Sequence, residues 1–213
     1  MDDNVLRIAA GLRLGSNLCA PHICSCGASV DARGCHGLSC SRSAGRHMRH
    51  SLINDIICRA LGRAGVSAVK EPPGLLTGSG MRPDGTTLIP WARGKCLAWD
   101  ATTPDTFAAS HLPSTSLIAG AAAAHSSVIK LQKYAALQAT HIVIPVAVET
   151  MGVWCTEGLD FVRELGRRTS MITHDPKETS FLLQRISVAV QKGNAASCAG
   201  TLPPVELTLA GEG

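Results

Sequence analysis

Between residues 48 and 64 the apolar positions Leu52, Ile53, Ile56, Ile57, Ala60 and Leu61 recur every three to four residues. That period predicts a helix, and Gly65 stops it. Residues 66–71 read as a short strand closed by Pro72-Pro73-Gly74, and 77–80 as a turn. Two further strands are predicted over 85–90 and 95–102, the second with Leu97 and Trp99 alternating. The segment 91–94 between them carries the glycine and charge of a hairpin. Residues 104–113 are irregular. A long helix follows over 116–139, rich in Ala and Leu and free of proline, then a β-branched buried strand over 141–148. Two amphipathic helices, 156–168 and 177–192, complete the pattern, and the chain frays after Ala199. The order α-β-β-β-α-β with two C-terminal helices predicts a mixed α/β sheet, with the helix between the last two strands as its crossover.

Composition narrows the class. The chain has 213 residues and a mass of 22.2 kDa, enough for one domain with a small appendage. It is 45% hydrophobic but only 3% aromatic, so Ala, Leu, Val and Ile must supply the core. A charged fraction of 17% argues against a disordered chain. No apolar run reaches the roughly 18–20 residues of a membrane span, and the chain opens without a signal-peptide apolar region. An intracellular, non-secreted protein with no membrane partner is expected. The net charge of +4 permits nucleic-acid binding, and it is unevenly placed. Arg42, Arg46, Arg49, Arg59 and Arg63 fall in a stretch whose one acid is Asp55.

Nine cysteines, an odd number, fit a disulfide framework poorly. Cys19, Cys24, Cys26, Cys35 and Cys40 crowd into the first 40 residues, a clustering that suits metal ligation in a reducing compartment. Cys24, Cys26, His36 and Cys40 offer four donors of the right chemistry for tetrahedral Zn²⁺, at intervals of one, nine and three residues. Four protein ligands leave no open position, so the role would be structural. Cys19, His22 and Cys35 are rival ligands. The unit is full of Gly and Ser and is not expected to be helical. Cys58, Cys96, Cys155 and Cys198 are dispersed and read as packed thiols.

The acidic residues near the predicted strand ends are few. Glu71 ends the first strand, Asp84 opens the second within Arg82-Pro83-Asp84-Gly85, and Asp100 follows Trp99 at the end of the third. Carboxylates on the ends of adjacent strands can converge on one divalent cation, and Mg²⁺ completes its shell with water and phosphate. Such an ion activates water and neutralises charge on a phosphodiester. Each residue also has a plainer reading. Pro-Asp-Gly is a strong turn signal, and Glu71 could be an exposed strand end. Lys130 and Lys133 could be the solvated face of a helix. Asp100 is harder to dismiss, since a buried carboxylate is costly unless paired. Position 102 holds Thr rather than Lys, whereas Lys130, Lys133 and Tyr134 share one helix face.

These features together resemble the PD-(D/E)xK, or restriction-endonuclease-like, nucleases. More closely, the chain resembles the C-terminal endonuclease region of non-LTR retrotransposon polyproteins, in which a Cys-Cys-His-Cys knuckle precedes the nuclease. The stretches that carry the resemblance are Cys24-Ser-Cys26-Gly27, His36-Gly-Leu-Ser-Cys40, Gly45-Arg46-His47-Met48-Arg49-His50, Ile53-Asn54-Asp55, Arg82-Pro83-Asp84-Gly85, Trp99-Asp100, Lys130-x-x-Lys133-Tyr134 and Glu149-Thr150-x-Gly152-x-Trp154. The resemblance implies a linker remnant over 1–18, a zinc knuckle over 19–45, a restriction-endonuclease-like domain over 46–198 and a flexible tail over 199–213. It implies Mg²⁺ or Mn²⁺ on Asp84 and Asp100, with Glu71 assisting, and Lys130 as a catalytic lysine migrated to the helix with Tyr134 in support. Arg42, Arg46 and Arg49 would contact nucleic acid. The implied partners are double-stranded DNA and element RNA, in the nucleus, with a reverse transcriptase upstream that 213 residues cannot also hold. One departure is notable: the family pattern leads us to expect an acid near position 127, and the chain has His125-Ser126-Ser127.

Overall fold

The computed structural model describes residues 1–76 and 82–202. The turn expected over 77–80 and most of the tail, 203–213, lie outside the described residues. The elements run α1 (Asp3–Leu14), β1 (His22–Ile23), β2 (Ser29–Val30), α2 (His36–Ser39), α3 (Ala44–Arg63), β3 (Ala68–Lys70), β4 (Gly85–Thr87) and β5 (Cys96–Thr102). They continue with α4 (Leu112–Thr115), α5 (Ala121–Lys133), a 3-10 segment (Ala135–Ala139), β6 (His141–Ala147), α6 (Thr156–Thr173) and α7 (Glu178–Ala199).

The protein is a mixed α/β fold on a four-stranded sheet of order β3-β4-β5-β6. The first three strands are antiparallel and β5 pairs β6 in parallel, with α5 in the crossover between them. On β5 the side chains alternate. Leu97, Trp99 and Ala101 enter the main core with Ile53 and Ile57 of α3, Phe161 and Leu165 of α6 and Ile186 of α7. Ala98 faces the other side, among Tyr134, Leu137 and Val143. The sheet is therefore covered on both faces, and Asp100 is carried on the α5 side. Ala123 of α5 packs on Ala147 of β6, a close approach that only small side chains allow. Pro145 is tolerated because β6 is an edge strand.

Several sequence expectations need correction. Residues 3–14, assigned to a linker, form a capped helix: the Asp2 side chain accepts from the Val5 N–H at 2.9 Å, and Gly15 closes it at φ +65°. Leu12 anchors that helix against Leu38 and Cys198. The cysteine-rich unit contains one helical turn, α2, after its β1–β2 hairpin. The helix expected over 116–139 begins only at Ala121, because Gly120 sits at φ +85°, and it tightens into the 3-10 segment after Tyr134. Helix α3 begins at Ala44 rather than 48, and α7 runs on to Ala199. Small residues extend α7: Gly193 and Ser197 let α3 come close, and a Cβ at Gly193 would collide with the Arg49 side chain.

Candidate functional site

In the β4–β5 ladder Gly85 pairs with Trp99, so the next step along the register sets Asp84 opposite Asp100. Gly85 is a strand residue rather than a turn, and it is glycine because the Trp99 ring occupies the space a Cβ would need. The Asp84 Oδ2 accepts from the Ala101 N–H at 2.6 Å and from His50 Nε2 at 2.9 Å. Burial alone would raise the Asp84 pKa, but the His50 hydrogen bond and charge, with the Ala101 N–H, outweigh it and hold it below the usual carboxylate range. The same hydrogen bond raises the His50 pKa against partial burial.

Asp100 is 3% exposed, and α5 neutralises it. Lys130 Nζ lies 2.5 Å from Oδ1 and Lys133 Nζ 3.6 Å from Oδ2. The Tyr134 hydroxyl, 2.5 Å from Oδ2, also lies 2.7 Å from the Arg82 carbonyl. Burial, then the hydrogen bond to Asp100, pushes the Tyr134 pKa upward, so the phenol stays protonated and donates. Residues 130, 133 and 134 reach one carboxylate because they share a helix face. The structure thus brings Asp84, Asp100, Lys130 and Tyr134 to the ends of β4 and β5.

Glu71 does not join them through its side chain. Its backbone N–H donates to the Asp84 carbonyl at 2.8 Å, but its carboxylate is exposed and lies 4.0 Å from Arg82. Ser127, where an acid was expected, is buried on α5 and its hydroxyl donates to Glu157 Oε2 at 3.0 Å. Glu149 caps α5: its Oε1 accepts from the Ala122 and Ala123 N–H groups, and its Oε2 from the Thr106 hydroxyl.

Two residues of this region were missed as site residues. The Trp99 indole N–H donates to Asn54 Oδ1 at 3.0 Å, and Asn54 Nδ2 lies 3.3 Å from the His50 ring, so Trp99, Asn54, His50 and Asp84 form one chain. The sequence carried no separate signal for them, because His50 follows Arg46, His47 and Arg49 and reads as part of that basic run. The arginine assignment also changes. Arg42 and Arg46 are exposed, with Arg42 donating to the Ser25 carbonyl. Arg49 is 1% exposed and donates to Asn194, Ser197 and the Leu38 carbonyl, so it ties α2, α3 and α7 together instead of meeting a nucleic acid freely.

The knuckle residues converge. The donor atoms of Cys24, Cys26, His36 and Cys40 all lie within 4.8 Å of one another. Cys26 Sγ is 3.2 Å from His36 Nε2, and Cys24 Sγ is 3.8 Å from Cys40 Sγ. Two sulfurs bound tetrahedrally at about 2.3 Å stand about 3.8 Å apart, so the donor set and spacing fit zinc. Backbone donation from Cys26 is the largest influence on Cys24 and, with the neighbouring side chains, brings its thiol down to about 6; burial pushes Cys40 up. The rivals face elsewhere. Cys19 donates to backbone carbonyls, and His22 lies against the Ala20 carbonyl and Thr201. Among the described residues this is the one group of three or more Cys, His or carboxylate side chains gathered so closely. All nine cysteines are free thiols, and burial pushes Cys198 up to about 12. No helix among the described residues is long and apolar enough to cross a membrane.

Compared with known proteins, the chain matches no family model and no curated protein sequence. The fold and site define a mixed α/β protein with a four-strand sheet, a Cys₃His cluster able to hold a metal ion, and a carboxylate pair met by a lysine and a tyrosine at the strand ends.

Proposed function

We propose that the protein is a metal-dependent DNA endonuclease domain of the restriction-like class, of the kind carried by non-LTR retrotransposon polyproteins and preceded there by a reverse transcriptase. The observation that carries this reading is the opposition of Asp84 and Asp100 at the ends of β4 and β5, with Lys130 of the crossover helix on Asp100. Two carboxylates on facing strand ends suit Mg²⁺ or Mn²⁺, which take few protein oxygens. Such an ion would supply activation of a water nucleophile and neutralisation of phosphodiester charge. The chain's own part is positional. His50 and the Ala101 N–H fix Asp84, Tyr134 fixes Asp100, and Lys130 places a positive charge where a phosphate would gain negative charge. The zinc knuckle braces α2 against α7, where a Cβ on Gly37 would meet the Ser197 carbonyl at 2.6 Å. Nicking of supercoiled plasmid that needs Mg²⁺ or Mn²⁺ tests the reading; its absence from folded, zinc-loaded protein would remove it.

A second reading is favoured by Ser127 and by Glu71, which leave no third carboxylate beside the pair among the described residues. On it, the domain is a catalytically silent, zinc-stabilised nucleic-acid-binding module. It then binds duplex DNA with strong salt dependence but does not cut it.

A further inference from the structure

Helix α5 carries Lys130 and Lys133, and Tyr134 closes it, yet its own packing does little to fix where it sits. The residues it buries are Ala122, Ala123 and Ser127, while Val128 and Ile129 are exposed. Small side chains let helix and sheet approach but offer no large ridge to set the register along the strands. Its start is equally bare: Gly120 stands at the N-cap position with a left-handed backbone and no capping side chain of its own. The missing cap comes from the sheet. Glu149, two residues past the end of β6, is 1% exposed, and no cation pairs with it among the described residues. A buried carboxylate is costly unless its oxygens are satisfied, and here both are. Oε1 accepts from the Ala122 N–H at 3.0 Å and the Ala123 N–H at 3.3 Å, at the positive end of the helix. Oε2 accepts from the Thr106 hydroxyl at 3.0 Å, which joins Glu149 to the segment that follows β5. That junction is itself anchored. The Thr106 N–H donates to the Thr150 hydroxyl at 3.0 Å, and the Thr150 N–H to the Pro104 carbonyl at 3.0 Å. Asn194 of α7 donates to the Thr150 carbonyl at 2.7 Å.

We propose that Glu149 is a positioning residue: with Thr106 it clamps the start of α5 to the ends of β5 and β6, and so seats Lys130 and Tyr134 on Asp100. A cap at position 120 would start the helix without fixing its place on the strands. A cap delivered by the strand end does both. Lys130 stands eight residues beyond Ala122, about 12 Å along the helix axis. A slip at the helix start is therefore carried to the Lys130 Nζ and the Tyr134 hydroxyl, whose hydrogen bonds to Asp100 tolerate little movement. The seating of α5 stands on these contacts alone; that the seated residues serve cleavage rests on the endonuclease reading.

Tyr134 is the chain's one tyrosine, so ring-labelled tyrosine gives a single reporter of that seating. NMR of full-length, zinc-loaded protein at neutral pH, with no other divalent ion, follows its Cζ resonance and its hydroxyl proton, and circular dichroism follows the fold. In the wild type the hydroxyl proton is protected from exchange and Cζ is shifted from its position in free tyrosine. Glu149→Ala and Thr106→Val should lose the protected proton and return Cζ toward the free position while the chain stays folded. Glu149→Gln keeps an oxygen for the helix N–H groups and Thr106→Ser keeps the hydroxyl, so both should restore the wild-type signals. Leu182→Ala, in the core on the other face of the sheet, lowers stability but should leave those signals unmoved. Wild-type signals in folded Glu149→Ala and Thr106→Val overturn the clamp, and so does their loss in folded Leu182→Ala. If Glu149→Ala does not fold, Thr106→Val and its serine rescue decide the matter. Plasmid nicking is scored apart. Wild-type nicking with tyrosine signals unmoved in the clamp variants removes this inference and keeps the endonuclease; a released tyrosine in protein that never nicks does the reverse.

Discussion

Lys130 on α5 reaches down onto the sheet face it covers, to Asp100 on β5, with Nζ 2.5 Å from Oδ1 of a carboxylate that is 3% exposed. The two residues lie thirty positions apart and are joined by the crossover that makes β5 and β6 parallel. Breaking a buried pair by removing one partner strands the other charge, at about 3–5 kcal/mol. Asp100→Asn retains an acceptor for Tyr134 and should fold better than Asp100→Ala. Urea unfolding monitored by circular dichroism checks the order.

His50 and Asp84 make the stability depend on pH from both sides. The folded pKa of His50 is raised, so its contribution is complete below about pH 6.5, the unfolded histidine value, and fades as pH rises through the raised one. The folded pKa of Asp84 is lowered, so its contribution is present above about pH 4 and fades as pH falls through the depressed one. The pair therefore supports the fold most between those limits. In an NMR titration the His50 ring should turn over above the ordinary histidine value, and Asp84→Asn should bring it back. An unshifted His50 in the wild type would deny the pair.

The Cys₃His cluster predicts its own pH dependence for metal binding. Cys24 is poised as a thiolate with a pKa of about 6, whereas Cys40 must lose a proton to bind. Metal binding then releases protons and weakens as pH falls. Substituting cobalt should give the thiolate-to-metal absorption of a tetrahedral site, lost in Cys24→Ser and retained in Cys19→Ser. Retention in the first and loss in the second would mean that the ligand set is different.

Gly85 tests the packing behind the acids. Its absent Cβ makes room for the Trp99 ring, which is fully buried and hydrogen-bonded to Asn54. Gly85→Ala should destabilise by about 1–3 kcal/mol through overpacking. Asn54→Ala should cost a similar ~1–3 kcal/mol by orphaning the indole N–H. Thermal unfolding of both variants measures these losses.

The apolar periods of 48–64 and 156–168 and the alternation at Leu97 and Trp99 made the layers legible in the sequence, because burial is what sets both periods. Helix ends were less legible. Gly120 lies inside an Ala-rich run that reads as continuous helix until its left-handed backbone and the approach of Val153 are seen. The helical nature of residues 3–14 was hidden because its apolar face is completed by residues distant in the chain, Leu38, Phe107, Met151 and Cys198 among them. Asp84, Asp100 and Lys130 could be singled out by residue type and position, but His50 could not. A histidine among arginines reads as part of a basic patch until α3 is laid against the end of β4. Arg49 misled for the same reason: its partners, Asn194 and Ser197, lie on α7 at the far end of the chain.

The most direct measurement is the nicking of supercoiled plasmid by zinc-loaded protein, with Mg²⁺ supplied or withheld, beside Asp84→Ala and Asp100→Ala. The account predicts nicking only with the metal, its loss in both folded variants, and duplex binding little changed in either. Full cleavage by both variants, or no cleavage by wild-type protein that still binds DNA, would contradict it.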